Sequence, residues 1–172
     1  MSKIGTKIIV EETYPLSMPK KANTDDAAYD LVTRGDFKVT QNKRVFIPLG
    51  FKIQLPTNMC LIIQPRSGQS GKGMIATIKA PSWLHTCWKS SIRIDADVII
   101  GLIDSGYCEE VHAIAKFGRF TLRQKILRLL GFKFYIADNS RICQGRFVYV
   151  PNISLSKGLV VGNRSGLGST DK

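Results

Sequence analysis

Apolar residues in this 172-residue chain come in short, often alternating runs, and Gly, Pro, Asn and Asp cut them at brief intervals. That pattern leaves little room for long amphipathic helices and favours many short strands. Lys7 to Val10 reads as a first strand. Arg44-Val45-Phe46-Ile47-Pro48-Leu49-Gly50 leads into Phe51 to Leu55, where Phe51, Ile53 and Leu55 share one face. Met59 to Ile63, Ile92 to Ile103, Val111 to Ala115, Gly131 to Tyr135 and Arg141 to Val150 are further strands. The expected fold is all-β, a barrel or sandwich of antiparallel strands.

One segment departs from this rhythm. From Phe120 to Leu130 the residues Leu122, Ile126, Leu129 and Leu130 fall on one helical stripe, with Arg123, Lys125 and Arg128 elsewhere. Lys116 to Lys133 holds six basic residues and no acidic one, so a short basic amphipathic helix is expected, solvated on its charged side. The terminal GLVVGNRSGLGSTDK is Gly-rich and reads as a mobile tail.

Charge narrows the partners. Twenty-five Lys and Arg against thirteen Asp and Glu give +12, a field that draws polyanions such as nucleic acid, nucleotides or acidic membrane faces. No apolar stretch reaches the roughly 20 residues of a membrane span. The N-terminus lacks the apolar centre of an export signal, so an intracellular protein is expected, with no membrane partner. Cys60, Cys87, Cys108 and Cys143 are scattered and read as free thiols. His85-x-Cys87 has no second ligand pair to complete a zinc site.

Two features suggest chemistry. The run Val98 to Ile103 should be buried in a sheet and deliver Asp104 where the chain emerges. A carboxylate at the end of a rigid strand is held still, as a water-orienting group must be; Asp-Ser-Gly is also ordinary turn chemistry. The tripeptide Arg-Ser-Gly occurs at Arg66-Ser67-Gly68 and again at Arg164-Ser165-Gly166. Arginine offers a planar fork to phosphate oxygens, serine a short donor, and glycine a close approach of backbone amides. Neither copy has Walker-loop spacing, and either is compatible with a surface turn.

The order of these motifs resembles that of the trimeric dUTP pyrophosphatase (dUTPase) family. Ala22 to Leu31, ending Tyr29-Asp30-Leu31, resembles the family's first motif. Pro65-Arg66-Ser67-Gly68 resembles the second, Gly101-Leu102-Ile103-Asp104-Ser105-Gly106-Tyr107 the third and Ser140 to Gln144 the fourth. Gly166 to Thr170 resembles the end of the fifth.

The resemblance implies a jelly-roll or distorted β-barrel over residues 1–160, with a closing tail at 161–172. Insertions are expected at about 76–93 and 118–130. It further implies a homotrimer with sites shared between subunits, a deoxyuridine nucleotide as substrate and Mg²⁺ as cofactor. Asp104 would activate the water that attacks the α-phosphorus and Gln144 would hold that water. Tyr107 would pack under the deoxyribose, beside Ile103. Asp30 would hold waters on the magnesium. Arg66, Ser67, Gly68 and Arg141 would bind or brace the phosphate chain, and Arg164, Ser169 and Thr170 would close over it.

Three departures stand out. Val98 occupies the place where the family has a base-reading asparagine, which opens another pyrimidine deoxynucleotide such as dCTP as substrate. Arg164 lies three residues before Leu167 rather than five before a stacking aromatic. The 37 residues between Arg66 and Asp104 exceed what the family needs. A dUTPase-fold protein that binds nucleic acid or a regulator through its basic surface, without activity, is the less favoured alternative.

Overall fold

The computed structural model describes residues 6–84, 90–155 and 157. Thirteen strands and two short helices appear among them. The strands are β1 (Ile9–Glu12), β2 (Tyr29–Val32), β3 (Phe37–Lys38), β4 (Arg44–Pro48), β5 (Phe51–Gln54), β6 (Met59–Pro65) and β7 (Met74–Lys79). They continue with β8 (Ser90–Ile94), β9 (Ala96–Ile99), β10 (Gly101–Ile103), β11 (His112–Phe117), β12 (Lys133–Ile136) and β13 (Arg141–Tyr149). Helix α1 covers Ser67–Lys72 and α2 covers Leu122–Leu129.

All pairings within the sheets are antiparallel, and non-consecutive strands lie side by side, as in a jelly roll. The orders are β1-β5, β10-β6-β13-β2, β4-β11-β9 and β3-β12-β7-β8. Small sheets of this kind are held by what they bury together. One core joins them: Leu31, Ile47, Phe51, Ile63, Met74, Ala113, Phe117 and Phe134 are all buried in it. Between β4 and β5 the chain turns at Gly50 with φ of +73°, and a Cβ there would lie 2.8 Å from the Cβ atoms of Ser17 and Tyr14. Glycine is required at that turn. Ser17, itself buried, donates to the Gly50 carbonyl and ties the N-terminal segment down.

The all-β expectation with a short helix matches this architecture, while local boundaries moved. The first strand lies two residues later than expected. The apolar run from Val98 to Ile103 is not one buried strand: β9 pairs with β11, β10 pairs with β6, and Ile100 and Leu102 are exposed. The chain changes sheets at Ile100, and periodicity carries no signal for such a switch. Helix α2 forms where expected, with Thr121 and Gln124 closing a capping box, but its apolar stripe faces outward. Gln124 is the buried residue of α2, and its side-chain amide donates to the Arg93 carbonyl at 2.7 Å.

Candidate active site

Three strands build the principal cleft. On β13, Gln144 lies opposite Asp30 of β2 on one side and Gln64 of β6 on the other. Because side chains alternate across a strand, these three polar groups form a row on one face while Leu31 and Ile63 point into the core. Gly145, next along β13, permits that row: a Cβ there would meet Leu61 at 2.9 Å and Leu31 at 3.2 Å. Cys143 lies beneath, and burial pushes its thiol far above the usual range, which makes it a poor nucleophile.

Asp30 is the electrostatic centre. Its side chain is 14% exposed and accepts from Arg66 Nε at 2.9 Å and from Arg141 at 3.3 Å. Gln144 donates to the Pro65 carbonyl at 3.2 Å. Arg66 occupies the N-cap position of α1, so Ser67 and Gly68 open the helix's first turn and face solvent. That turn is tied down from three directions. Gln69 donates to the Arg141 carbonyl at 2.6 Å, Ser70 to Asp97 at 3.3 Å, and Arg93 donates to the Gly73 carbonyl at 3.2 Å. The cleft measures about 740 Å³, and Arg66, Arg93, Arg141 and Arg146 line it against Asp26 and Asp30. An excess of guanidinium over carboxylate, with exposed turn amides, suits a polyanion.

Asp104, Ile103 and Tyr107 stand elsewhere. Ile103 pairs with Leu61 of β6, so Asp104 continues toward the opposite end of that strand from Arg66. Along a strand that separation is roughly 20 Å. Asp104 is exposed and has no side-chain partner among the described residues. It opens a turn in which the Tyr107 amide donates to its carbonyl at 3.1 Å. Tyr107 is half-buried and fixed, its hydroxyl donating to the Glu110 carbonyl at 2.9 Å. Beside it lies a depression of about 360 Å³ lined by Glu11, Lys52, Gln54 and Cys108.

One chain therefore brings together Asp30, Arg66, Ser67, Gly68, Arg141 and Gln144 and holds Ile103, Asp104 and Tyr107 apart from them. Arg164, Ser169, Thr170 and Leu167 lie outside the described residues, as do His85 and Cys87. Val98 is buried on β9, so its side chain faces neither depression. Gln64, Gln69, Arg93 and Arg146 line the cleft without having been singled out in the sequence. Gln64 carried a signal, since it alternates with core Ile63 two residues before Arg66. Arg93 carried none, because its place depends on the β7–β8 pairing.

The family model for dUTPase matches residues 15–83, the segment carrying Asp30 and Arg66 to Gly68. The deoxyuridine 5'-triphosphate nucleotidohydrolase of Streptomyces coelicolor is 25% identical over 95 residues, 55% of this chain and 52% of that protein. Its counterpart in Thermobifida fusca is 29% identical over 79 residues, 46% of this chain and 44% of that protein. The chain spans about half the length of the curated relatives it matches. In fold the likeness extends much further. A Staphylococcus bacteriophage 80alpha dUTPase bound to dUpNHpp superposes with a TM-score of 0.66 at 15% identity, covering 96% of this chain and 95% of that one. A mutant dUTPase from phage phi11 of S. aureus, studied for its coordination of a structural Mg(II) ion, gives 0.65 at 13%, covering 92% and 100%. The chain thus matches the dUTPase family model over residues 15–83 and shares the fold of solved phage dUTPases across its described residues.

Proposed function

We propose that the protein hydrolyses dUTP to dUMP and pyrophosphate in sites shared between copies of the chain. The observation that carries this reading is the division of labour along β6. The arginine-rich cleft with its Ser67-Gly68 turn lies at one end, and at the other lies an exposed carboxylate with no side-chain partner among the described residues. Neither end suffices, and a second copy presenting Asp104 to the cleft completes the set. A homotrimer with shared sites meets that need.

In the assembled site Arg66, Arg141 and the Ser67-Gly68 turn bind the triphosphate. Asp104 orients a water and takes its proton as the water oxygen bonds to the α-phosphorus. The bridging oxygen to the β-phosphorus then departs with the pyrophosphate. A positioned base of this kind contributes about 10²–10⁴-fold. Tyr107, held by Glu110, packs against the sugar, and Gln144 holds the attacking water. Arg164, Ser169 and Thr170 belong to the same reading as the closing tail.

Magnesium fits this cleft in one manner. Both oxygens of Asp30 are engaged by arginines, and no cluster of three or more His, Cys, Asp or Glu stands among the described residues. Asp30 can hold coordinated waters but not cage an ion, which accords with a metal carried mainly by substrate phosphates. When bound, the ion would neutralise charge building on the phosphate chain.

The burial of Val98 favours a second reading, the same chemistry on another pyrimidine deoxynucleotide, because that side chain cannot read the base edge. Pyrophosphate release from dUTP, dCTP, dTTP and UTP, with Asp104→Asn beside the parent protein, separates the two. Turnover of dUTP alone, lost in the variant, is the expected result. Mixing Asp104→Asn with Arg66→Ala protein should restore part of the activity. No restoration would mean that each chain works alone and would overturn the shared site.

A further inference from the structure

Helix α2 is built inside out. At about 100° per residue, Leu122, Ile126 and Leu129 lie along one line, with Leu130 beside them. Leu122 is 74% exposed and Leu129 is 88% exposed. The opposite side seats Gln124 and Leu127 against the protein, fixed by the Gln124 bond to Arg93. Exposed Arg123 flanks the stripe on one side and exposed Lys125 on the other. Trp83 widens the patch from a separate turn. It is 67% exposed, and its indole nitrogen lies 3.9 Å from where a Cβ on Gly131 would stand, just past the helix. From Val111 to Ala137 there is no acidic residue.

We propose that α2 and Trp83 form a peripheral docking surface for an anionic lipid interface. A convex apolar ridge with cations on both flanks has the form that lets leucine and tryptophan enter the acyl boundary while Arg123 and Lys125 meet headgroup phosphates. Nucleic acid would engage the cations but leave four aliphatic side chains in water. A second copy related by a two-fold axis would set Arg123 and Lys125 against their own equivalents. The net charge of +12 supplies long-range attraction toward an anionic surface. The contact is peripheral: no helix among the described residues is long and apolar enough to cross a membrane.

The test is flotation of the full chain with phosphatidylcholine vesicles and with vesicles that also contain phosphatidylserine. The variants are Leu122→Gln/Leu129→Gln and Arg123→Gln/Lys125→Gln, with thermal melts to check folding. The parent should float with phosphatidylserine vesicles and be released by salt. The leucine pair should lose at least about tenfold in partitioning with charge unchanged. The cation pair should lose the preference for phosphatidylserine. Equal binding by the leucine pair would reduce the effect to charge alone and overturn the proposal. So would absence of parent binding, or a change of oligomeric state in the leucine pair by light scattering, which would assign the stripe to a second copy.

Discussion

The two ends of β6 carry opposite electrostatic designs. At the Pro65 end a carboxylate is enclosed by two guanidiniums, and a helical turn is tied to three neighbouring strands. At the Met59 end Asp104 stands on an exposed turn with no side-chain partner among the described residues, while Tyr107 beside it is anchored through its hydroxyl. The first end is organised to receive negative charge and the second to supply it. The difference teaches that stability and chemistry are separable along one strand. Groups that brace one another should be costly to remove from the fold, and a group without partners should be costly only to the reaction.

The largest effect tests the unbraced end. Asp104→Asn keeps the shape of the side chain and removes the base. Turnover should fall by about 10²–10⁴-fold while the melting temperature stays unchanged. A clear loss of stability would show that Asp104 is structural and would break the comparison.

At the braced end both quantities should move. Arg66→Ala leaves Asp30, largely buried, with Arg141 alone. Removing one partner of a buried pair typically costs about 3–5 kcal/mol. The remaining arginine and partial exposure reduce that here to about 1–2 kcal/mol. Denaturant unfolding should show that loss, alongside weakened nucleotide binding. Asp30→Asn with Arg66 intact should weaken magnesium dependence more than nucleotide affinity, which separates bracing from water-holding.

Gly145→Ala sharpens the comparison from beneath. The added methyl meets Leu61 and Leu31 in the packed core under Gln144. Overpacking of this kind costs on the order of 1–2 kcal/mol. The row Asp30, Gln144 and Gln64 should shift with it, so binding weakens together with stability, while the Asp104 turn keeps its structure. An unchanged melting temperature would mean that the leucines yield freely.

How much of this was legible in the sequence differs between the two ends. Asp104 stood out because a turn signal followed an apolar run, and its place at a strand end could be read directly. What could not be read was that β9 and β10 join different sheets, which exposes Ile100 and Leu102, because both sheets accept the same alternating pattern. Arg66, Asp30 and Gln144 were recognisable as motif residues, but their meeting in one row depends on the register of three strands distant in sequence. Helix α2 was visible as a stripe. Its direction was not, because the seat of Gln124 on the Arg93 carbonyl depends on where the β7–β8 pairing puts Arg93, and the helical stripe carries no signal for that.

A pair at neither end supplies the smallest effect and a baseline. Asp36 and Lys79 join β7 to the loop before β3 through a short hydrogen-bonded ion pair of 2.5 Å. The bond from Lys79 holds the Asp36 carboxyl below its ordinary value, and the bond to Asp36 raises the Lys79 ammonium above its own. A lowered carboxylate contributes stability above its unfolded pKa and loses it as pH falls through the folded one. A raised ammonium contributes below its unfolded pKa and loses it as pH rises through the folded one. The pair therefore stabilises through the neutral range and fades at both extremes. Both side chains are nearly half exposed, so Asp36→Asn should lower the melting temperature only slightly near neutrality. In melts across pH the parent and variant curves should converge on the acid side, with turnover unaffected. If turnover also changed, strain would be passing from this sheet to the cleft wall through β7, and the braced end could no longer be treated as independent of the rest of the fold.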